Sequence, residues 1–240
     1  YNTLTIGKSD WTTGGHSMNV RLNSWTMYTQ FPYNIAETGG WGDEGGTCAS
    51  NGTVVPGGGP LGQGSAHQGD WDVVKTGQNF IAQAAQHPDV PFFIYQGMNI
   101  VHQPYVTNEY WYNKIDPTKI EVPVWRPLTE LHPCDLQSSM LKVCTPSDEN
   151  AAAFYSEHRR RNIRRIYAAM IAEFDEMVGA YMTAVKNAGV WNQTVFIVTS
   201  DHGDCQMEHQ QHYKMVPKDA SASVPMVIYD GRKPLDGPKV

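Results

Sequence analysis

The pattern of apolar and polar positions changes character several times along the chain. At the start, Leu4 and Ile6 alternate with polar neighbours, which predicts a short strand over residues 1–7 with one buried face. Residues 37–69 are dense in glycine with interspersed proline and serine and predict a long surface loop. Val73, Val74, Phe80, Ile81 and Ala84 then recur at helical spacing, so a helix is expected over 72–86. The run Val90-Pro91-Phe92-Phe93-Ile94-Tyr95 is too short for a helix and is bounded by turn residues, as a buried strand is. Residues 105–141 mix proline with aromatics and predict a packed, irregular excursion.

Beyond Ser147 the spacing becomes regular. Ile163, Ile166, Tyr167, Met170, Ile171, Phe174, Met177, Val178, Tyr181, Met182 and Val185 lie three or four apart, the stripe of a long amphipathic helix. Ser147 and Asn150 are candidate caps at its start, and Gly189 is a stop. Two more apolar runs, 194–199 and 224–229, read as buried strands. Helices alternating with fully apolar strands imply an α/β fold with a mainly parallel sheet sandwiched between helices. There is no internal repeat. The first strand delivers Lys8 at once into a Gly-rich turn and residues 230–240 end without a closing element, so the chain is expected to be a segment of a longer domain.

Composition narrows the class. Of 240 residues, 40% are hydrophobic and 18% charged, with a net charge of -6, the profile of an ordinary globular chain. The only basic runs, Arg159–Arg161 and Arg164-Arg165, fall inside the helical pattern and read as a solvated face, so a nucleic-acid partner is not expected. No apolar stretch is long enough to span a membrane. The sequons Asn51-Gly52-Thr53 and Asn192-Gln193-Thr194 lean slightly towards a secretory route. Cys48, Cys134, Cys144 and Cys205 lack CxxC spacing, which argues against a zinc cage; Cys134 and Cys144 are close enough in sequence to be a candidate bridge.

The polar residues that matter follow the predicted strands. In open parallel sheets, ligands bind beyond the carboxyl ends of strands. The first strand leads to Lys8, Asp10 and His16, and the second to Asn99 and His102. The third ends in Ser200-Asp201-His202-Gly203-Asp204, followed by Glu208, His209, His212 and Lys214. Each has an ordinary alternative: a solvated lysine, a loop histidine, or Asp201 as a helix cap. Together they form a set able to hold a divalent metal and a tetrahedral anion.

Thr199–Asp204, then Met207-Glu208-His209, Tyr213-Lys214-Met215 and Ser223-Val224-Pro225-Met226-Val227 resemble the second half of the signature of the sulfatase family within the alkaline phosphatase superfamily. Phe92–His102 resembles that family's strand with a terminal histidine, and Ile6-Gly7-Lys8 its Gly-Lys step. Further matches run through residues 120–128 and Glu130-Leu131-His132-Pro133. The resemblance implies that residues 1–240 are part of a single sulfatase catalytic domain carrying the Gly-rich insertion. It implies metal ligation by Asp201 and His202 (calcium in an oxygen-rich site), and sulfate contacts from Lys8, His102 and Lys214. It also implies a companion role for His16 and a substrate-facing position for His209. The substrate would be a sulfated carbohydrate or an aryl sulfate.

Two departures qualify this. The family's two metal-binding aspartates, and the Cys-x-Pro-Ser-Arg motif whose cysteine becomes the formylglycine nucleophile, would both precede Tyr1. Cys144-Thr145-Pro146-Ser147-Asp148 imitates that motif with Asp for Arg, but it falls on the wrong side of Lys8 and borders the long helix, so it reads as a structural cysteine. His16 also lies farther from Lys8 than the family spacing. The alternatives are a phosphodiester or phosphonate hydrolase of the same superfamily, or an inactive, truncated binding module.

Overall fold

The computed structural model describes residues 1–8, 52–136, 156–214 and 216–233. In chain order its elements are β1 (Asn2–Gly7), β2 (Thr53–Val55), α1 (Gln68–Ala84), β3 (Phe92–Gly97), β4 (Val106–Asn108), α2 (Glu109–Tyr112), α3 (Glu157–Asn187), β5 (Val195–Thr199), β6 (Cys205–Gln206), β7 (His212–Tyr213), α4 (Asp219–Ala222) and β8 (Met226–Asp230).

β1 and β3 pair in parallel, in register from Asn2 opposite Phe92 to Gly7 opposite Gly97. The alternation read from the sequence decides which face is buried: Leu4 and Ile6 point onto Val73, Phe80 and Ala84 of α1, with Phe92 and Ile94 at the border. Leu4, Ile6, Val73 and Phe80 each contribute about 1.5–3 kcal/mol by leaving water. The other face of α1 meets α3. Trp71 and Val74 pack with Ile163, Ile166, Met170 and Met177, and the same cluster takes in Ile100, Tyr105 and Met207. The helix pair therefore anchors two loops that leave strand ends.

α3 starts later than the capping pattern predicts. Its N-cap is Ser156, whose hydroxyl accepts from the Arg159 amide at 3.3 Å. Ser147 and Asn150 lie outside the described residues. The helix ends as expected before Gly189, which takes the left-handed φ of +74° that stops a helix at low cost.

The arginine runs on α3 are not the solvated face their composition predicts. Arg161 bonds the Ile120 carbonyl and Glu157, Arg164 bonds the Gln206 carbonyl and Glu208, and Arg165 bonds the Ile115 carbonyl while lying over the Tyr112 ring. Arg160 stacks over Trp125. These guanidiniums fasten residues 112–125 and 206–208 to the helix.

Within the stretch predicted to be one long loop, Thr53–Val55 instead forms β2, parallel to β4, where its β-branched side chains suit a strand. Residues 37–51 of that stretch lie outside the described residues. The third predicted buried strand also differs: β8 runs antiparallel to β5. The register runs from Val195 opposite Asp230 to Thr199 opposite Met226, and among the described residues the connection carries the antiparallel β6–β7 pair and the four-residue helix α4. Among the described residues the β5–β8 ribbon leaves Val195, Ile197, Met226, Val227 and Ile228 exposed rather than buried. No described helix is long and apolar enough to cross a membrane.

Candidate active site

The site begins where β1 and β3 end side by side. A Cβ on Gly7 would stand 1.8 Å from the Gly97 carbonyl oxygen, and one on Gly97 would stand 1.8 Å from that of Lys8. Only glycine lets the two backbones come this close, and the Lys8 amide donates to Gly97 O at 2.8 Å. That contact fixes the point from which the Lys8 side chain, 11% exposed, reaches across to Asp201, with Nζ 3.5 Å from Oδ2. Partial burial works to raise the Asp201 pKa, but Lys8 first, then His202 and Lys214, bring it below the usual carboxylate value.

Beyond β3 the chain turns sharply. The His102 amide donates to Asn99 O at 2.7 Å, and the ring Nδ1 lies 2.6 Å from its neighbour's carbonyl, Gln103 O. A carbonyl only accepts, so Nδ1 carries the hydrogen and Nε2 is the acceptor nitrogen. Burial lowers the His102 pKa to about 4, with Lys8, Lys214 and His202 adding to it and the Gln103 carbonyl opposing it. In this site the ring is neutral near pH 7.

The loop after β5 supplies the remaining groups. His202 Nδ1 lies 2.7 Å from Gly203 O, which sets the same tautomer, and Ser200 Oγ holds the His202 carbonyl at 2.6 Å. His202 Nε2 then presents its lone pair, 3.5 Å from Asp201 Oδ1 and 2.6 Å from the Lys214 ammonium. The His102 and His202 rings meet edge to face with centroids 6.2 Å apart. Lys8, His102, Asp201, His202 and Lys214 thus lie together at the carboxyl ends of β1, β3 and β5.

Other candidates are not among the described members of this cluster. Asp10, His16, Cys48 and Cys144 fall outside the described residues, so the Cys134–Cys144 pairing does too; Cys134 itself is exposed. His209 is exposed in a left-handed turn with φ +53°, and no described contact joins it to the cluster. Glu208 is engaged by Arg164. The sequence did not single out two residues that support the site. Buried Asp70 accepts the amides of Asn99 and Ile100, and buried Tyr105 donates to both oxygens of Asp204. A signal for Asp70 did exist: it occupies the same i, i+3, i+4 stripe as buried Val73, Val74 and Gly77.

Asp201 and His202 fit a divalent cation. A histidine that ligates a metal usually donates its other ring N–H to a carbonyl or carboxylate, as His202 does to Gly203 O. Its Nε2 lies 3.5 Å from the Asp201 carboxylate and 2.6 Å from the Lys214 ammonium. They are only part of a coordination shell: among the described residues no three His, Cys, Asp or Glu side chains converge as metal ligands.

The sulfatase family model matches residues 1–236, and the chain belongs to the sulfatase family. It is similar to arylsulfatase K of Xenopus laevis, 34% identical over 97% of this chain and 42% of that protein. It is also similar to arylsulfatase K of Homo sapiens, 32% identical over 95% of this chain and 41% of that protein. The chain therefore spans about two fifths of the length of these relatives. The phosphonate monoester hydrolase of Silicibacter pomeroyi superposes with a TM-score of 0.56 at 20% identity, covering 77% of this chain and 38% of that one. That of Agrobacterium radiobacter superposes with a TM-score of 0.53 at 24% identity, covering 68% and 34%. At such identities these two establish the shared α/β fold.

Proposed function

We propose that the full-length protein is a metal-dependent sulfatase that hydrolyses sulfate esters of sugars or aryl alcohols. The observation that carries this reading is that Lys8 and Lys214 each contact one member of the Asp201–His202 pair, which groups two ammoniums with two metal-type donors. A sulfate ester needs positive charge on several oxygens at once, and this arrangement offers it from both sides.

Asp201 and His202 would hold a divalent metal, calcium by preference for an oxygen-rich shell completed by residues outside this chain. When bound, that metal supplies Lewis-acid polarisation of sulfuryl oxygens. Lys8 and Lys214 bind the anion and offset the charge that grows on its oxygens, each such donor being worth roughly 3–4 kcal/mol in comparable sites. His102, neutral before substrate arrives, gains proton affinity once an anion sits between the lysines, and so can hold a proton at Nε2 for the leaving oxygen. His16 is assigned to sulfate release and His209 to the substrate's far side on family resemblance alone. The formylglycine nucleophile is expected outside these 240 residues. A lysosomal or secreted location accompanies the reading, supported by the exposed Asn192 of its sequon.

The test is turnover of the full-length protein on an aryl sulfate and a sulfated disaccharide, against a phosphonate monoester and a phosphate diester, with and without calcium. Calcium-dependent sulfate release is expected. A preference of more than tenfold for the phosphorus esters would assign the site to the chemistry named for the proteins that share its fold.

A further inference from the structure

We infer that Asp70, on the first turn of α1, is a positioning residue that sets the place of His102 in the site, an inference that rests on the function proposed for that histidine. The carboxylate accepts the Asn99 amide on Oδ1 and the Ile100 amide on Oδ2, each at 2.9 Å. One hydrogen bond later, Asn99 O receives the His102 amide at 2.7 Å. The path from Asp70 to His102 is therefore two backbone bonds into a single tight turn. Asp70 is only 3% exposed and Ile100 is 6% exposed in the core, so little water reaches the carboxylate to replace the Ile100 amide.

The environment of Asp70 shows how firmly that clamp is seated. The next residue, Trp71, donates its indole N–H to buried Glu173 of α3 at 2.9 Å, and Glu173 also accepts from Ser65. His67, the residue before the helix, bonds the Val106 carbonyl at 2.8 Å, just past the turn. The start of α1 thus grips the loop on both sides of His102. Burial drives the Asp70 pKa up, and the Asn99 and Ile100 amides oppose that rise. A buried acid would be poorly tolerated on an apolar helix stripe without such partners. Here each amide takes its own oxygen; an asparagine in the same pose keeps one of those oxygens and turns an N–H2 donor on the other amide. That mismatch would shift the turn and, with it, His102, and small misplacements of reacting groups cost on the order of 10²-fold in rate.

The test is a double-mutant cycle in the full-length protein, assayed on an aryl sulfate. The variants are Asp70→Asn, Asp70→Ser, His102→Ala and the two doubles; whichever Asp70 variant is folded by circular dichroism carries the cycle. In the wild-type background the Asp70 variant is expected to lower kcat about 10- to 100-fold with KM changed less than about threefold. In the His102→Ala background it is expected to lower kcat less than about twofold, because a positioning residue has nothing left to position. An equal loss in both backgrounds, a loss confined to KM, or a folded Asp70 variant with full kcat would overturn the inference. So would failure of both Asp70 variants to fold, since the residue would then serve the fold as a whole. If His102→Ala alone leaves turnover intact, the functional reading of His102 has failed, and that result is visible before any Asp70 variant is compared.

Discussion

The Lys214 ammonium lies 2.6 Å from Nε2 of His202, the one nitrogen of that ring left to accept by the Nδ1 bond to Gly203. A lone pair facing a cation can bind a metal in its place, provided the lysine swings aside to the anion the metal attracts. The two residues should then separate in function. In the full-length protein His202→Ala is expected to weaken calcium affinity by at least about tenfold. Lys214→Ala should leave that affinity within a few-fold and lower kcat/KM by about 10²–10³. Calorimetry and steady-state kinetics on the two variants check this, and a Lys214→Ala protein that no longer binds calcium would contradict it.

His102 should titrate low. Its folded pKa, about 4, lies below the ordinary 6.5, so the folded site resists the proton that the unfolded chain accepts. Stability linked to this ring is therefore full above pH 6.5 and declines as pH falls from 6.5 towards 4. Nitrogen-edited NMR on the 240-residue chain should give a midpoint near 4, and Lys8→Met should move it upward by removing one of the positive neighbours. A midpoint at the ordinary value would mean that the ring is not held in this buried, cationic setting.

Gly97→Ala is expected to damage the site out of proportion to its size. The added methyl carbon would stand 1.8 Å from the Lys8 carbonyl oxygen, backbone that cannot move without parting β1 from β3. A cost of about 1–3 kcal/mol in stability is expected by urea denaturation. Turnover of the full-length variant should fall by more than tenfold because Lys8 is displaced. Wild-type turnover would show that the strand ends do not set Lys8.

Ile166→Ala, in the centre of the α1–α3 cluster and fully buried, is expected to destabilise the protein by about 2–5 kcal/mol with the denaturant slope unchanged. A loss under 1 kcal/mol would place that side chain outside the core.

Turnover by residues 1–240 alone is expected to be absent, because Asp201 and His202 are two ligands where calcium commonly takes six or more oxygens. Calcium-dependent release of sulfate from an aryl sulfate by this chain would show that its nucleophile lies within it.

The sequence by itself determined what short-range physics can determine. Alternation marked β1, and its Leu4 and Ile6 are buried; the three- and four-residue stripe marked α3, and Ile163, Ile166, Met170 and Met177 lie in the core. Residue chemistry singled out Lys8, His102, Asp201, His202 and Lys214. It could not show that they meet, since only the folded chain brings Lys8 within 3.5 Å of a residue 193 positions away. Tertiary structure also decided the direction of β8, because an apolar run reads the same either way and only its pairing with β5 shows it to be antiparallel. It turned the α3 arginines from an expected solvated face into ties, by folding residues 112–125 and 206–208 over them. And it made Asp70 a clamp: in sequence an ordinary acid at a helix start, it gains its partners only when the chain beyond β3 returns and offers two backbone amides.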